Sequence, residues 1–430
     1  MRFRVAFALV LGFLCVAARV AAPVGAQSRG MFFGSTEDLA IKYGTAPLDN
    51  PVIAVNQKLK DGTIRLTLDG RGGYLQSALH ALDIPVESQM LVFSATSLQA
   101  RLITPDNPRA LFFNDHVALG YVRTGEILEV AAHDATEGIV FYTLEQKATD
   151  PPQFQRRTTC LGCHLNADTL GVPGLLMFST TPASDTRPTR SAAMDHRMPL
   201  KDRWGGWFVT GSSGRAGHIG NAVPALDGHA GRELASASGL FDPDGFRATT
   251  SDIAALMVFS HQTYMINLIT RAGWEARAAD PRLHPPFVAA PGEDARVARV
   301  MSGVANEVVD YMLFIDETPL TDTVRGASGF AEKFSAAGPR DKKGRSLHEL
   351  DLNRRLMTSP CSYLIYSPAF DHLPPGAKDP IYRRMWEILS GNERQARYRS
   401  ALPLADRRAI VEILRDTKPG LPSYFGDVTR

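Results

Sequence analysis

Val117-Ala118-Leu119-Gly120-Tyr121-Val122, Ile127-Leu128-Glu129-Val130 and Ile139-Val140-Phe141-Tyr142 follow one another at hairpin spacing. Each run is short and rich in β-branched and aromatic residues, and Arg123-Thr124-Gly125 and Glu137-Gly138 supply the turns between them. Moving upstream, Ala110-Leu111-Phe112-Phe113 precedes Asn114-Asp115, and Met90-Leu91-Val92-Phe93-Ser94 lies before that. Thr63-Ile64-Arg65-Leu66-Thr67-Leu68 alternates apolar and polar with period two and stops at Asp69-Gly70-Arg71-Gly72-Gly73, which predicts a further strand. Residues 74–82 predict a short helix between strands. Residues 27–150 are therefore expected to form a β-rich domain, closed by Ala148-Thr149-Asp150-Pro151-Pro152.

Downstream the period changes. From residue 250 apolar side chains recur at helical spacing. Ser251-Asp252 caps a run through Ile253, Leu256, Met257, His261, Tyr264, Met265, Leu268 and Ile269. Residues 295–314 predict a second helix, with Val297, Val300, Met301, Val304, Val308 and Met312 on its apolar face. Residues 380–389 and 403–416 predict two more. Strands first and helices afterwards define an α+β class: a β-rich N-terminal region, then a mainly α-helical region over 151–430. Within it, 151–245 reads as loop-rich. There Gly171-Val172-Pro173-Gly174, Trp204-Gly205-Gly206-Trp207 and Gly211-Ser212-Ser213-Gly214 interrupt the chain. The two tryptophans suit a chain folded over a flat apolar ring, and they suit an ordinary core equally.

Between the two regions stands Cys160-Leu161-Gly162-Cys163-His164. The spacing is C-x-x-C-H, the attachment pattern for c-type haem. Two thiols one helical turn apart can form thioethers to the two vinyl groups, and the following imidazole then lies under the iron as proximal ligand. Chance gives about one such match per thousand chains of this composition. A zinc half-site would need two further ligands, and no second C-x-x-C exists. A thioredoxin-like dithiol would need a strand before it, whereas Asp150-Pro151-Pro152-Gln153 leads in. The expected cofactor is one covalent haem c on Cys160 and Cys163, with His164 on the iron.

The N-terminus agrees. Arg2 and Arg4 precede an uncharged apolar run over 5–18, and Val24-Gly25-Ala26 offers a small-residue cleavage site. Residues 1–26 thus read as a cleavable signal peptide, which implies a periplasmic or otherwise exported protein. Covalent haem is installed outside the bacterial cytoplasm, so the two readings support each other. Loss of Arg2, Arg4 and Arg19 takes the formal charge from +2 to −1, which argues against a nucleic-acid partner. No later segment reaches eighteen consecutive apolar residues, so no membrane span is expected in the mature chain. Cys361 is left without a partner in an apolar run and is expected to be buried.

On Cys160, Cys163 and His164 the chain resembles the c-type cytochromes. The segment over 404–414 is similar to the last helix of many cytochrome c domains. Trp204-Gly205-Gly206-Trp207, His261-Gln262 and Pro360-Cys361-Ser362-Tyr363 resemble wording in large bacterial proteins that carry a single cytochrome c motif. That resemblance implies a covalent haem and redox partner proteins, and it implies no particular reaction. One motif only departs from the dihaem peroxidases, which need two.

The sixth iron ligand separates the function classes. A filled distal position gives an electron carrier, and an open one lets the iron bind peroxide, nitric oxide or oxygen. His261 and Met265, at i and i+4 on one helix face, are the candidate distal ligands; core packing alone explains Met265 well, and a core histidine satisfied by a hydrogen bond is the commoner outcome for His261. Met177, Met194, His196, Met198, His218 and His229 are loop alternatives, and Arg190, Arg197, Arg203 and Arg215 are candidates for pairing haem propionates. The expected function is electron transfer by an exported monohaem cytochrome. A haem enzyme or gas or peroxide sensor is the alternative, and a structural subunit of a larger respiratory complex is a third. No G-x-S-x-G, Walker or H-E-x-x-H pattern gives a hydrolase, nucleotide or zinc-protease reading a starting point.

Overall fold

The computed structural model describes residues 30–181, 190–222, 233–283 and 292–429. The expected signal peptide and His229 lie outside the described residues. Seven strands form one antiparallel sheet: β1 Met90–Val92, β2 Arg109–Phe113, β3 Val117–Tyr121, β4 Ile127–Asp134, β5 Gly138–Glu145, β6 Gln155–Arg156 and, after a separate hairpin of β7 Phe178–Thr181 and β8 Arg190–Ala193, β9 Trp207–Phe208. Their order is β6-β5-β4-β3-β2-β1-β9. The middle of the sheet is a meander, as the turn signals predict. Both edge strands come from beyond residue 150, and residues 31–430 form one compact unit. The protein is α+β, with the sheet in the N-terminal half and most helices in the C-terminal half.

The expected strand over 63–68 is absent. Thr67 gives its amide to the Ser77 hydroxyl and accepts from that same hydroxyl, so a side chain takes the place of a ladder partner. Period-two alternation makes a strand only where a neighbouring strand supplies hydrogen bonds. In front of this segment lies α1, Pro51–Lys60, which begins with Asn50 as cap and proline in the first turn. The helix expected over 74–82 is α2, Leu75–Ala81.

Period two places alternate strand residues on opposite faces. One face packs against α1 and α2 through Phe112, Leu119, Val130, Val140 and Tyr142. The other carries Phe113, Ala118, Ala131, Ile139 and Phe141 and joins a larger core centred on α4, Ile253–Ala278. The short α3, Leu161–His164, carries the cysteine motif. The Asp252 carboxylate starts α4: one oxygen accepts from the Ala254 and Ala255 amides, and the other from Ala327 and Ser328. Every residue from Ile253 to Trp274 is buried, which explains why this helix is apolar nearly all round. Among the described residues α4 alone is long and apolar enough to cross a membrane, and its most apolar stretch is fully buried inside the protein.

Around α4 stand α5 Glu293–Met312, α6 Phe330–Ala336, α7 Pro368–Asp371, α8 Pro375–Leu389, α9 Ala396–Ala401 and α10 Leu404–Thr417. On α5 the expected face is buried at Met301, Val304, Val308 and Met312, but Val300 faces solvent. The α8 helix starts five residues earlier than expected, at Pro375, where the first turn needs no amide donor.

Candidate haem site

The site starts at the sheet edge. Beyond β6, the Arg157 amide donates to the Phe141 carbonyl (2.8 Å) and its Nε to the Thr143 hydroxyl (2.8 Å). The pairing then ends, and a single 3-10 turn over Thr158–Cys160 leads into α3. Cys160 and Cys163 therefore sit on one helical turn. Cys160 is half-buried against the α4 core, Cys163 is exposed, and both thiols are free. Burial raises the Cys160 thiol pKa above its ordinary value.

His164 is held at two points by one residue. Its Nδ1 lies 2.9 Å from the Gly174 carbonyl, and its own carbonyl accepts the Gly174 amide at 3.0 Å. The ring rests against Phe141 with centroids 4.7 Å apart. A carbonyl can only accept, so Nδ1 carries the proton and Nε2 keeps its lone pair. Burial lowers the imidazole pKa, which favours this neutral form at pH 7. Metal-binding histidines show this arrangement: the second ring nitrogen donates to a fixed acceptor and sets the tautomer.

Gly174 is itself positioned by α4. A Cβ on it would lie 2.3 Å from the Asn267 Oδ1. The Asn267 amide brackets the next residue, accepting from the Leu175 N–H (3.0 Å) and donating to the Leu175 carbonyl (2.9 Å). The central helix thus fixes the loop, and the loop fixes His164. In the sequence Gly171-Val172-Pro173-Gly174 reads only as a chain break. The glycines seven and ten residues after His164 were the available signal for a close backbone approach.

The distal candidates are placed differently. His261 has no free ring nitrogen: Nδ1 meets His196 Nδ1 at 2.8 Å and Nε2 meets the Ser362 hydroxyl at 2.8 Å. Met265 is enclosed in the core. A sixth bond from either would require its present contacts to break. His196 is buried between Tyr311 (4.1 Å) and Phe314 (4.6 Å). His218 is buried with Nδ1 accepting from the Gly220 amide. Met177 and Met194 are buried at the base of the β7–β8 hairpin, and Met198 is half-buried against the α4 core.

Of the propionate candidates, Arg197 is paired with Asp195 at 2.6 Å and lies over Tyr264 and Tyr311. Arg203 is buried and donates to the His196 and Met198 carbonyls. Arg215 lies at the surface 3.5 Å from Asp322, and Arg190 is exposed in β8. Trp204 and Trp207 are both buried core aromatics. Trp207 belongs to β9, and its indole donates to the Phe178 carbonyl. Cys361 is wholly buried, and burial pushes its thiol up to about 12.

Two of the segments behind the resemblance, His261-Gln262 and Pro360-Cys361-Ser362-Tyr363, meet in space. His261 bonds Ser362, and Gln262 accepts from the Tyr363 hydroxyl at 2.7 Å. They clasp α4 to the segment that follows Pro360. Among the described residues no group of three or more His, Cys, Asp or Glu side chains is arranged to hold a bare metal ion. Comparison with protein families, with curated proteins and with solved structures returns no match.

Proposed function

We propose that this chain is an exported monohaem c-type cytochrome that carries electrons through a haem held by Cys160, Cys163 and His164. The observation that carries the reading is His164: it ends a C-x-x-C-H turn, gives Nδ1 to the Gly174 carbonyl and keeps Nε2 free. Such a haem would supply a one-electron iron couple. The chain's own part is to hold. The thiols fix the group, Gly174 keeps the imidazole in one tautomer, and Phe141 limits the tilt of its ring. Redox partner proteins follow from this role, and such encounters are small and weak. Residues 1–26 serve as the export leader.

One observation favours a second reading, a haem enzyme or gas or peroxide sensor. Both ring nitrogens of His261 are taken, so the most conspicuous distal candidate does not close the sixth position as placed.

Expression with the cytochrome c maturation machinery tests the first reading. A haem-stained band should survive a denaturing gel and vanish in Cys160→Ala/Cys163→Ala. No band from the wild type, or a band from the double variant, overturns it. Carbon monoxide separates the two readings: the reduced carrier should leave it unbound, and an open-site enzyme or sensor should take it up.

A further inference from the structure

One row of the sheet runs through Leu111, Gly120, Glu129 and Thr143, on the face that carries Ala131 and Phe141. Charge fills it. The Arg109 guanidinium lies over Gly120, 2.6 Å from where a Cβ would sit, and meets Glu129 at 2.8 Å. Glycine inside a strand marks a close approach, and here the guanidinium makes it. The Glu129 carboxylate also accepts from the Ser97 hydroxyl (3.0 Å) and the Leu98 amide (3.1 Å). The two side chains are 18% and 12% exposed, so salt and water screen them weakly.

Both ends of the cysteine turn stand beside this pair. Arg157, three residues before Cys160, gives its Nε to Thr143, the register partner of Glu129. At the other end His164 rests on Phe141. Phe141 is the diagonal neighbour of Glu129 in the β4–β5 ladder, a separation of about 7–8 Å. The charges are felt at both ends. After burial, Glu129 raises and Arg109 lowers the pKa of the Cys160 thiol. After burial and the Gly174 bond, they act on the His164 imidazole with the same signs. A buried ion pair gains little over apolar residues of the same size, so packing gives the sheet no reason to carry one here.

We propose that Arg109 and Glu129 are a tuning pair that sets the reduction potential of a haem held on the Cys160–His164 turn, the guanidinium favouring the reduced state and the carboxylate the oxidised state. This rests on the haem reading above. It gives strands β2 and β4 a part in the redox chemistry.

The test is the midpoint potential of the haem-loaded chain. Arg109→Gln should lower it and Glu129→Gln should raise it. A unit charge about 10 Å from a redox centre, at an effective dielectric constant of about 20, changes a one-electron equilibrium on the order of tenfold, or about 59 mV. Each single variant should move the potential by that order. Arg109→Lys keeps the charge and should stay within about twofold of the wild type, or about 18 mV. The double variant Arg109→Gln/Glu129→Gln removes both charges and should stay within the same range. Arg109→Gln keeps the test open if Glu129→Gln does not fold, because Glu129 then still holds Ser97 and Leu98. An unchanged or raised potential in Arg109→Gln overturns the proposal and leaves the haem reading intact. A displaced Soret maximum in that variant would make the effect one of ligation and overturns it too. A wild-type chain without covalent haem removes the parent reading first, and this proposal with it.

Discussion

His164 and His261 are both buried or half-buried histidines beside apolar surface, and the fold treats them in opposite ways. His164 ends a single helical turn at the sheet edge, with one nitrogen tied to a backbone carbonyl and the other free. His261 sits in the middle of a 26-residue helix with both nitrogens satisfied by side chains from distant segments. The first arrangement holds a ring ready for a ligand. The second uses a ring as a rivet. A histidine on an apolar stripe is ambiguous in sequence, and its hydrogen-bond partners decide which kind it is.

The largest expected effect breaks the comparison at His164. His164→Ala should alter the Soret band and move the midpoint potential by on the order of 100 mV or more, since axial ligands set potentials over about 0.8 V. Its thermal stability should change little. Unchanged spectra and potential would put His164 on the same footing as His261.

His261→Ala should do the reverse. It leaves Ser362 and His196 buried without their partner, which should cost about 3 kcal/mol in denaturant unfolding. Spectra should match the wild type, and a displaced Soret band would make His261 a ligand after all.

Acid sharpens the contrast further. Burial holds His261 and His133 down at about 3, against an ordinary value of 6.5. The unfolded chain takes up protons below pH 6.5 while the folded chain does not. The stability these groups contribute is therefore fully present above pH 6.5 and falls as pH drops toward 3. Each adds a slope of about 1.4 kcal/mol per pH unit inside that window. His261→Ala should show a shallower acid slope than the wild type, and equal slopes would mean that His261 titrates normally.

The smallest effect concerns the second half of the clasp. Tyr363→Phe removes one hydroxyl and leaves the Gln262 Oε1 unpaired, for a loss of about 1–2 kcal/mol. A stability equal to the wild type would reduce the clasp to the His261–Ser362 bond.

Local patterns were legible where the chain itself supplies the partner. The meander from β2 to β5 follows its turn residues, and α4 begins at its Asp252 cap. The helix α1 was not expected, although Asn50-Pro51 at its start is a signal of the same kind. Thr63 to Leu68 failed because alternation says nothing about a missing ladder partner. Val300 failed because helical period cannot show how far around α5 the core extends.

By itself the sequence determined the α+β order, the helix that starts at Asp252 and the C-x-x-C-H turn, each encoded by residues close to one another in the chain. Only the tertiary structure decided that His164 keeps a free nitrogen and His261 does not. His164 depends on a carbonyl ten residues away that Asn267 of α4 holds in place, and His261 on partners 65 and 101 residues away. Only folding, likewise, supplied both edge strands of the sheet from beyond residue 150. The physical reason is the same in each case. Backbone pattern is a local property of the chain, whereas the partner of a buried polar atom and the cover over an apolar face are set by segments far apart in sequence.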